Sequence, residues 1–452
     1  MHILVVNGSP KGEYSVTLQT VKYLEKAYPK HTFEYLNAGQ RIKSLEKDFS
    51  AAQAALENAE LILFSYPVYT FIAPSQVHRF FELIKDKGID LKGKTATQIT
   101  TSKHFYDVTA HRYVTDNCQD LGINVIKGLS ADMDDLLTEK GRKEARAFFE
   151  YAEFCMENGV FEKRLSEPYA FTPVIAEKGE KAASSIEKDV VLVTDAKKED
   201  LSLNAMIDRF ITVSPFKVRM VNLWETEIRG GCLGCFGCAV SGKCVYTDRF
   251  DDFLRNTIQS ADAIVYAFII RDHSMGARFK MYDDRQFCNG HRTVTMGAPT
   301  GYLISGAYSK EENVRTIVEA RAQVGGNFLC GAAADETDPN GEIDRLSKTL
   351  AYALENKLTQ PSNFYGVGGM KIFRDLIYLM QGFMKADHKF FKTHGQYDFP
   401  QKKKGMMLKM YLVGALISNP KIKAKMGNAM NEGMLMPYKK MFKKEFEKRK
   451  TE

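Results

Sequence analysis

The sequence predicts an α/β protein built from two tandem doubly wound parallel-sheet units followed by a helical C-terminal extension. Three observations carry that prediction. From Met1 to about Val160, short apolar or β-branched stretches alternate with helical ones, as in a parallel sheet covered by helices. The alternation returns after residue 188, and residues 361–452 lose it, becoming rich in Met, Lys and aromatics.

The first unit, residues 1–160, shows strand candidates at Ile3–Asn7, Leu61–Ser65, Thr95–Thr101 and Asn124–Leu129, with helices at Val16–Tyr28 and Ser75–Lys85. Residues 161–188 lack periodicity and are polar, which suits a linker. The second unit, 189–360, offers strands at Val190–Thr194, Lys217–Leu223, Ala263–Ile269, Gly301–Gly306 and Phe328–Ala333. The extension, 361–452, has helix-like stretches at Phe373–Phe383, Lys404–Leu416 and Met434–Lys448. Eleven of the nineteen methionines fall there, suited either to packing irregular apolar surface or to docking a partner or membrane surface.

A chain of 452 residues exceeds the ~250–300 at which single cores stop growing. Its apolar and charged fractions, 44% and 26%, exclude a disordered or collagen-like chain. The net charge of +7 is uneven: from Pro361 onward there are nineteen Lys and Arg against seven Asp and Glu, so the remainder is net acidic. Nucleic-acid binding by the two main units is not expected. Met1-His2-Ile3-Leu4-Val5-Val6 runs directly into a strand without a signal-like region. The apolar stretch Met410–Ile417 is far shorter than the ~20 residues that span a bilayer. A cytoplasmic protein without a transmembrane segment is expected.

Two loops in the first unit carry chemistry. Asn7-Gly8-Ser9-Pro10-Lys11-Gly12-Glu13-Tyr14-Ser15-Val16-Thr17 joins a strand to a helix, where backbone amides and the helix dipole favour an anion. Ser9, Ser15 and Thr17 supply hydroxyls that can ring a phosphate. After the next strand comes Ser65-Tyr66-Pro67-Val68-Tyr69-Thr70-Phe71-Ile72-Ala73-Pro74, rigid and partly aromatic. A flavin needs both kinds of loop at the carboxyl ends of parallel strands.

These loops resemble those of the flavodoxin-like NAD(P)H-dependent FMN reductases, with their Gly-Ser-x-Arg/Lys and Pro-x-Tyr elements, over roughly residues 1–160. The resemblance implies that Ser9, Lys11, Ser15, Val16 and Thr17 hold the FMN phosphate, and that Pro67, Val68, Tyr69 and Thr70 line the ring. A third loop with Thr101, Ser102 and His104 would complete the pocket. Hydride transfer at flavin needs no protein acid or base, so His104 and His111 are not read as catalytic and no catalytic residue is assigned.

In the second unit, Cys232, Cys235, Cys238 and Cys244 give the spacing C-x2-C-x2-C-x5-C. Four thiolates on one short glycine-containing loop suit a 4Fe-4S cluster. Zinc is the competing reading, although its cysteines usually come from two separated knuckles. Cys118, Cys155, Cys288 and Cys330 are scattered and read as small buried hydrophobes.

The quartet, with Asp248 and Asp251-Asp252 after it, is similar to the cluster segment of the iron-sulfur flavoproteins over roughly residues 188–335, the cysteines following the second strand of a flavodoxin-like unit. The second unit departs from that family at Thr194-Asp195-Ala196-Lys197-Lys198-Glu199-Asp200 and at Phe268–Gly276, where flavin loops belong. The expectation is that it keeps the cluster and has lost its own FMN.

The functional expectation is an FMN and 4Fe-4S oxidoreductase passing electrons between NAD(P)H or ferredoxin and an acceptor, with flavin and cluster converting two-electron into one-electron transfer. A flavin-dependent reductase of a quinone, nitro compound or enone is an alternative, and a non-enzymatic redox sensor or scaffold another. NADH, NADPH and ferredoxin are not distinguished, and a homo-oligomer stays open.

Overall fold

The computed structural model describes residues 1–104, 107–165, 169–399, 404–417, 419 and 421. The expected helix at Met434–Lys448 lies outside the described residues. The first sheet holds β1 (His2–Asn7), β2 (Thr32–Leu36), β3 (Leu61–Pro67), β4 (Thr95–Ser102), β5 (Asn124–Val125) and β6 (Leu129–Asp132). Its order is β2-β1-β3-β4-β5, with β6 also paired to β4, and every pairing is parallel. The strand expected at Asn124–Leu129 is two short strands. Between them Gly128 runs so close to β4 that a Cβ there would sit 2.4 Å from the Gln98 side chain.

The helices of this domain are α1 (Val16–Ala27), α2 (Ala38–Lys47), α3 (Ser50–Asn58), α4 (Ser75–Asp86), α5 (Asp107–Asp120) and α6 (Glu139–Asn158). One face of the sheet buries Ile3, Val5, Leu61 and Leu63 against Leu18, Val21 and Phe149 of α1 and α6. The opposite face buries Leu4, Val6, Ile62 and Phe64 against Phe80, Phe81 and Tyr113. Strands covered on both faces read as continuous apolar runs, which is why β1 and β3 are plain in the sequence.

The second sheet contains β7 (Ile186–Thr194), β8 (Phe216–Asn222), β9 (Ala263–Ile269), β10 (Pro299–Ser305) and β11 (Phe328–Ala334), parallel throughout in the order β11-β10-β9-β7-β8. Both sheets therefore place their first strand between the second and the third, which puts the switch of direction, and hence the crevice, at the carboxyl end of the first and third strands. The helices here are α7 (Leu201–Val213), α8 (Gly237–Ser241), α9 (Phe250–Phe253), α10 (Gly276–Arg285), α11 (Glu312–Gly325) and α12 (Pro339–Asn356), followed by α13 (Phe364–Leu379) and α14 (Lys385–Thr393).

A single compact unit spans Met1–Phe391. Within it the two domains share one buried core, to which Val77 and Phe80 of α4 and Phe279 and Tyr282 of α10 contribute. These two helices are related by an approximate two-fold. Asp284 near the end of α10 accepts from Ser75 N at the start of α4, 2.7 Å, and Glu82 of α4 accepts from Ala277 N at the start of α10, 2.7 Å. Each carboxylate satisfies a backbone donor that a helix start leaves open and sits at the positive end of the other helix. A second unit, Lys392–Glu452, carries α15 (Lys404–Ile417). Among the described residues, no helix is long and apolar enough to cross a membrane.

Candidate functional site

The loop after β1 is fixed by the side chain of Asn7. Its amide donates to the Gly12 carbonyl at 3.0 Å and to Asn37 Oδ1 at 2.8 Å, while its oxygen accepts from Ser9 N at 3.2 Å. A Cβ on Gly8 would lie 2.4 Å from Val77, so only glycine lets the chain pass there. Ser15 is the N-cap of α1, its hydroxyl accepting from Leu18 N at 3.4 Å. Ser9, Ser15 and Thr17 are buried, and Thr17 Oγ1 lies 2.6 Å from Thr101 Oγ1, tying this loop to the end of β4.

The loop after β3 is a tight turn. Tyr69 N donates to the Ile72 carbonyl at 2.8 Å, Ile72 N returns a bond to Tyr69 at 3.2 Å, and Thr70 and Phe71 have φ of 48° and 75°. Left-handed backbone at two bulky residues is costly and persists where surroundings enforce it. Lys280, buried on α10, does so: its Nζ donates to Thr70 Oγ1 at 2.7 Å and to the Tyr69 carbonyl at 3.1 Å. The Thr70 hydroxyl donates on to Asp283 at 2.5 Å, and Asp284 pairs closely with Lys280.

At the end of β4, Thr101 and Ser102, with Lys103 next in the chain, face the same hollow as these two loops. His104 does not. With φ of 52° its largely exposed ring turns toward Asp107 and Asp135, 3.7 and 3.3 Å away. His111 is held 2.8 Å from Thr100 Oγ1, and burial pulls its pKa down to about 4, leaving a neutral structural imidazole.

The cysteine loop follows β8, the second strand of its domain. Cys232, Cys235, Cys238 and Cys244 line one small cavity, and all four are thiols without a disulfide. Gly234 N donates to Cys232 Sγ at 3.4 Å, and Cys244 N is held by Asp251 at 3.0 Å. The loop is braced from behind by a buried bidentate pair, Arg285 to Asp248 at 2.7 and 2.8 Å, with the guanidinium 4.3 Å from the Tyr246 ring centroid. Burial raises the Asp248 pKa, but the hydrogen bonds from Arg285 and from the Arg229 and Phe250 amides, with the Arg285 charge, together outweigh it and bring it to about 2. Among the described residues, no three Cys, His, Asp or Glu side chains close around a single-ion position.

The two loop systems meet. A cavity of about 380 Å³ is lined from the first domain by Ser9, Lys11, Ser15, Val16 and Thr17, by Pro67, Val68, Tyr69 and Thr70, and by Thr101 and Ser102. From the second domain, Cys232, Gly234, Phe236 and Cys238 close it. Gly234 is so close that a Cβ there would fall 2.1 Å from the Tyr69 hydroxyl, and Lys11 Nζ lies 5.1 Å from the Phe236 ring centroid. The Lys280, Asp283 and Asp284 network, Phe287, and the walls from β9, β10, α11 and α13 were not singled out by the sequence.

The corresponding places in the second domain are occupied by its own side chains. Burial raises the Asp195 carboxyl to about 7, despite Arg271 nearby. Ser202 at the start of α7 and Ser305 at the end of β10 both donate to Asp335 at 2.6 Å. Arg271 reaches Asp200 at 3.6 Å. Its backbone nevertheless repeats the turn of the first domain, with Asp272 and His273 at φ of 52° and 62°.

Residues 1–148 match the family model described as the flavodoxin-like fold. Both domains are flavodoxin-like. Their common strand order, with the first strand between second and third, is the order of that fold. An iron-sulfur flavoprotein of Archaeoglobus fulgidus is 27% identical over 197 residues, 40% of this chain and 86% of the relative. An iron-sulfur flavoprotein of Clostridioides difficile is 20% identical over 139 residues, 29% of this chain and 61% of the relative. Among solved structures, an NAD(P)H:quinone oxidoreductase from Methanothermobacter marburgensis is 11% identical, covering 37% of this flavodoxin-like chain and 99% of its own, with a TM-score of 0.27.

Proposed function

We propose that the protein is an FMN- and 4Fe-4S-dependent oxidoreductase that moves electrons between NAD(P)H or ferredoxin and an acceptor. The observation that carries this reading is the shared cavity: phosphate- and ring-type loops of one flavodoxin-like domain face the cysteine loop of the other, with Tyr69 against Gly234. When bound, FMN accepts a two-electron hydride equivalent while a 4Fe-4S cluster exchanges single electrons.

The residues present fit both groups. Ser9, Ser15 and Thr17 bring buried hydroxyls to the start of α1, where the helix end favours a phosphate. Lys11 adds a positive charge at the mouth. Pro67 to Thr70 form the rigid wall for the ring, with Thr101 beside Pro67 on the neighbouring strand and Ser102 after it, and His104 stands outside this wall. The four thiols of one loop around one cavity suit a cubane, which takes one thiolate at each of four irons. The second domain holds the cluster alone, because Asp195 and Asp335 occupy the region where a second phosphate would sit. A second reading, reduction of a small organic acceptor, is favoured by the apolar continuation of the cavity past the ring wall.

The test is anaerobic purification with iron, acid-labile sulfide and flavin counted per chain. About four irons, about four sulfides and about one FMN are expected. Two flavins per chain overturn the assignment of the second domain, and stoichiometric zinc without sulfide overturns the cluster.

A further inference from the structure

The unit Lys392–Glu452 carries α15, whose sequence, Lys-Gly-Met-Met-Leu-Lys-Met-Tyr-Leu-Val-Gly-Ala-Leu-Ile, is apolar on almost every side. After Lys404, Lys409 is its one charged residue. A helix that packs on a globular core keeps its apolar residues to a stripe somewhat over ~100° wide and turns a polar face to water. On α15, Leu408, Tyr411 and Leu412 are 65%, 75% and 62% exposed, and Met406 and Met407 are exposed as well. At about 100° per residue, these five side chains cover roughly 240° of the helix circumference.

Length sets what such a helix can enter. Its 14 residues rise about 21 Å, short of the ~30 Å hydrocarbon core of a bilayer, so α15 does not reach across a membrane. Apolar segments of roughly this length belong either to a protein core or to a membrane interface, and the exposure of α15 excludes the core of this chain. A groove on a protein partner covers one side of a docked helix, along its i, i+3, i+4 and i+7 positions. The acyl boundary of a bilayer is fluid and closes around a wider apolar arc, and a helix enters it with its interior backbone groups already paired.

Charge selects the lipid. From Gln401 to Asn431 the sequence holds seven lysines and no Asp or Glu. Three of them, Lys402, Lys403 and Lys404, come immediately before the apolar run, and three more, Lys421, Lys423 and Lys425, follow it. A basic cluster of this size beside an apolar helix is drawn to anionic headgroups. The two signals reinforce each other, because one short apolar anchor gives only marginal, reversible attachment and a polybasic flank supplies the second hold.

We propose that α15 and its lysine flanks attach the protein to the surface of a membrane containing anionic lipid, with the apolar arc from Met406 to Leu412 immersed in one leaflet and the lysines at the level of the phosphates. The attachment rests on the extension alone and is independent of the cofactors that the flavodoxin-like domains hold.

Co-sedimentation of the full chain with lipid vesicles tests this, using one set of phosphatidylcholine alone and one of equal parts phosphatidylcholine and phosphatidylglycerol. Binding to the mixed vesicles is expected to be at least about tenfold tighter than to phosphatidylcholine and to weaken as salt is raised. Leu408→Glu together with Leu412→Glu, at exposed positions, lowers binding to the mixed vesicles by at least about tenfold without lowering Tm. Lys402→Gln, Lys403→Gln and Lys404→Gln together remove much of the preference for the anionic vesicles. In Tyr411→Trp, the emission of the new indole moves to shorter wavelength when mixed vesicles are added. Equal binding to both vesicle sets, or undiminished binding in the double Glu variant, overturns the attachment. So does a wild-type chain that stays in the supernatant with both sets, and a sedimentation-equilibrium mass that then falls in the double Glu variant assigns the helix to contact between copies of this chain.

Discussion

The Lys280 ammonium of the second domain donates to Thr70 Oγ1 of the first at 2.7 Å, from a side chain that is fully buried. The ring loop of one domain is thus held in its left-handed turn by a charge supplied by the other, a charge matched by Asp283 and Asp284 on the same helix.

Lys280→Met removes the cation and leaves the buried Asp284 without its ion-pair partner, while Asp283 keeps Arg321. Breaking one side of a buried pair costs roughly 3–5 kcal/mol. The expected outcome is a lower Tm and FMN bound at least about tenfold more weakly, with iron content per folded chain preserved. Flavin affinity measured by fluorescence alongside iron analysis checks it. Equal FMN affinity in a destabilised variant would separate Lys280 from the ring loop.

Gly234→Ala places a methyl group where the Tyr69 hydroxyl stands, at 2.1 Å, on a residue whose φ is +63°. Both effects oppose the substitution, and strained left-handed backbone alone costs roughly 1–3 kcal/mol. Tyr69 is displaced, so the flavin absorption spectrum and FMN affinity shift although the mutated residue lies in the cysteine loop. An unaltered flavin spectrum would count against contact between the two loops.

Ser15→Asp tests the phosphate site without dismantling α1, because Asp is as good an N-cap as Ser. A carboxylate set against a phosphate weakens FMN binding by roughly 10- to 100-fold, while the iron-sulfur absorbance should persist. Retention of tight FMN binding would place the phosphate elsewhere.

A pH response is expected at the domain interface. His273 lies between Asp120 of the first domain, 2.9 Å, and Glu311, 3.1 Å. Burial lowers its pKa, but the hydrogen bonds to Asp120 and Glu311 outweigh this and raise it from 6.5 to about 10. The folded state therefore binds this proton more tightly than the unfolded chain. Its stabilisation is complete below about pH 6.5 and is lost as pH rises toward 10. Thermal unfolding followed across that window should show a falling Tm in the wild type and a flatter profile in His273→Gln; identical slopes refute the assignment.

The fold was legible where burial on both faces gave continuous apolar runs, as in β1, β3 and β9. It was not legible at β2, whose residues Thr32–Leu36 are half-exposed at the edge of the sheet and alternate weakly. Splitting of the strand at β5 and β6 depended on the approach of Gly128 to Gln98, a contact that sequence periodicity does not encode. At the site, the loop residues from Ser9 to Thr17 and from Pro67 to Thr70 were readable because strand-to-helix turns have a local signature. His104 was expected in the pocket wall, yet its left-handed backbone turns the ring outward. Lys280 and Arg321 could not be found in this way, because each matters through a partner on a different helix or domain.

In the function proposed above, FMN and cluster exchange electrons within one chain, across the cavity where Tyr69 meets Gly234. Anaerobic rapid-mixing with NADH, NADPH or reduced ferredoxin, followed by optical detection of flavin and low-temperature electron paramagnetic resonance of the cluster, measures this transfer directly. The second centre is expected to be reduced after the first with a rate constant independent of protein concentration. A rate that rises in proportion to protein concentration, or a cluster that stays oxidised while the flavin turns over, contradicts it.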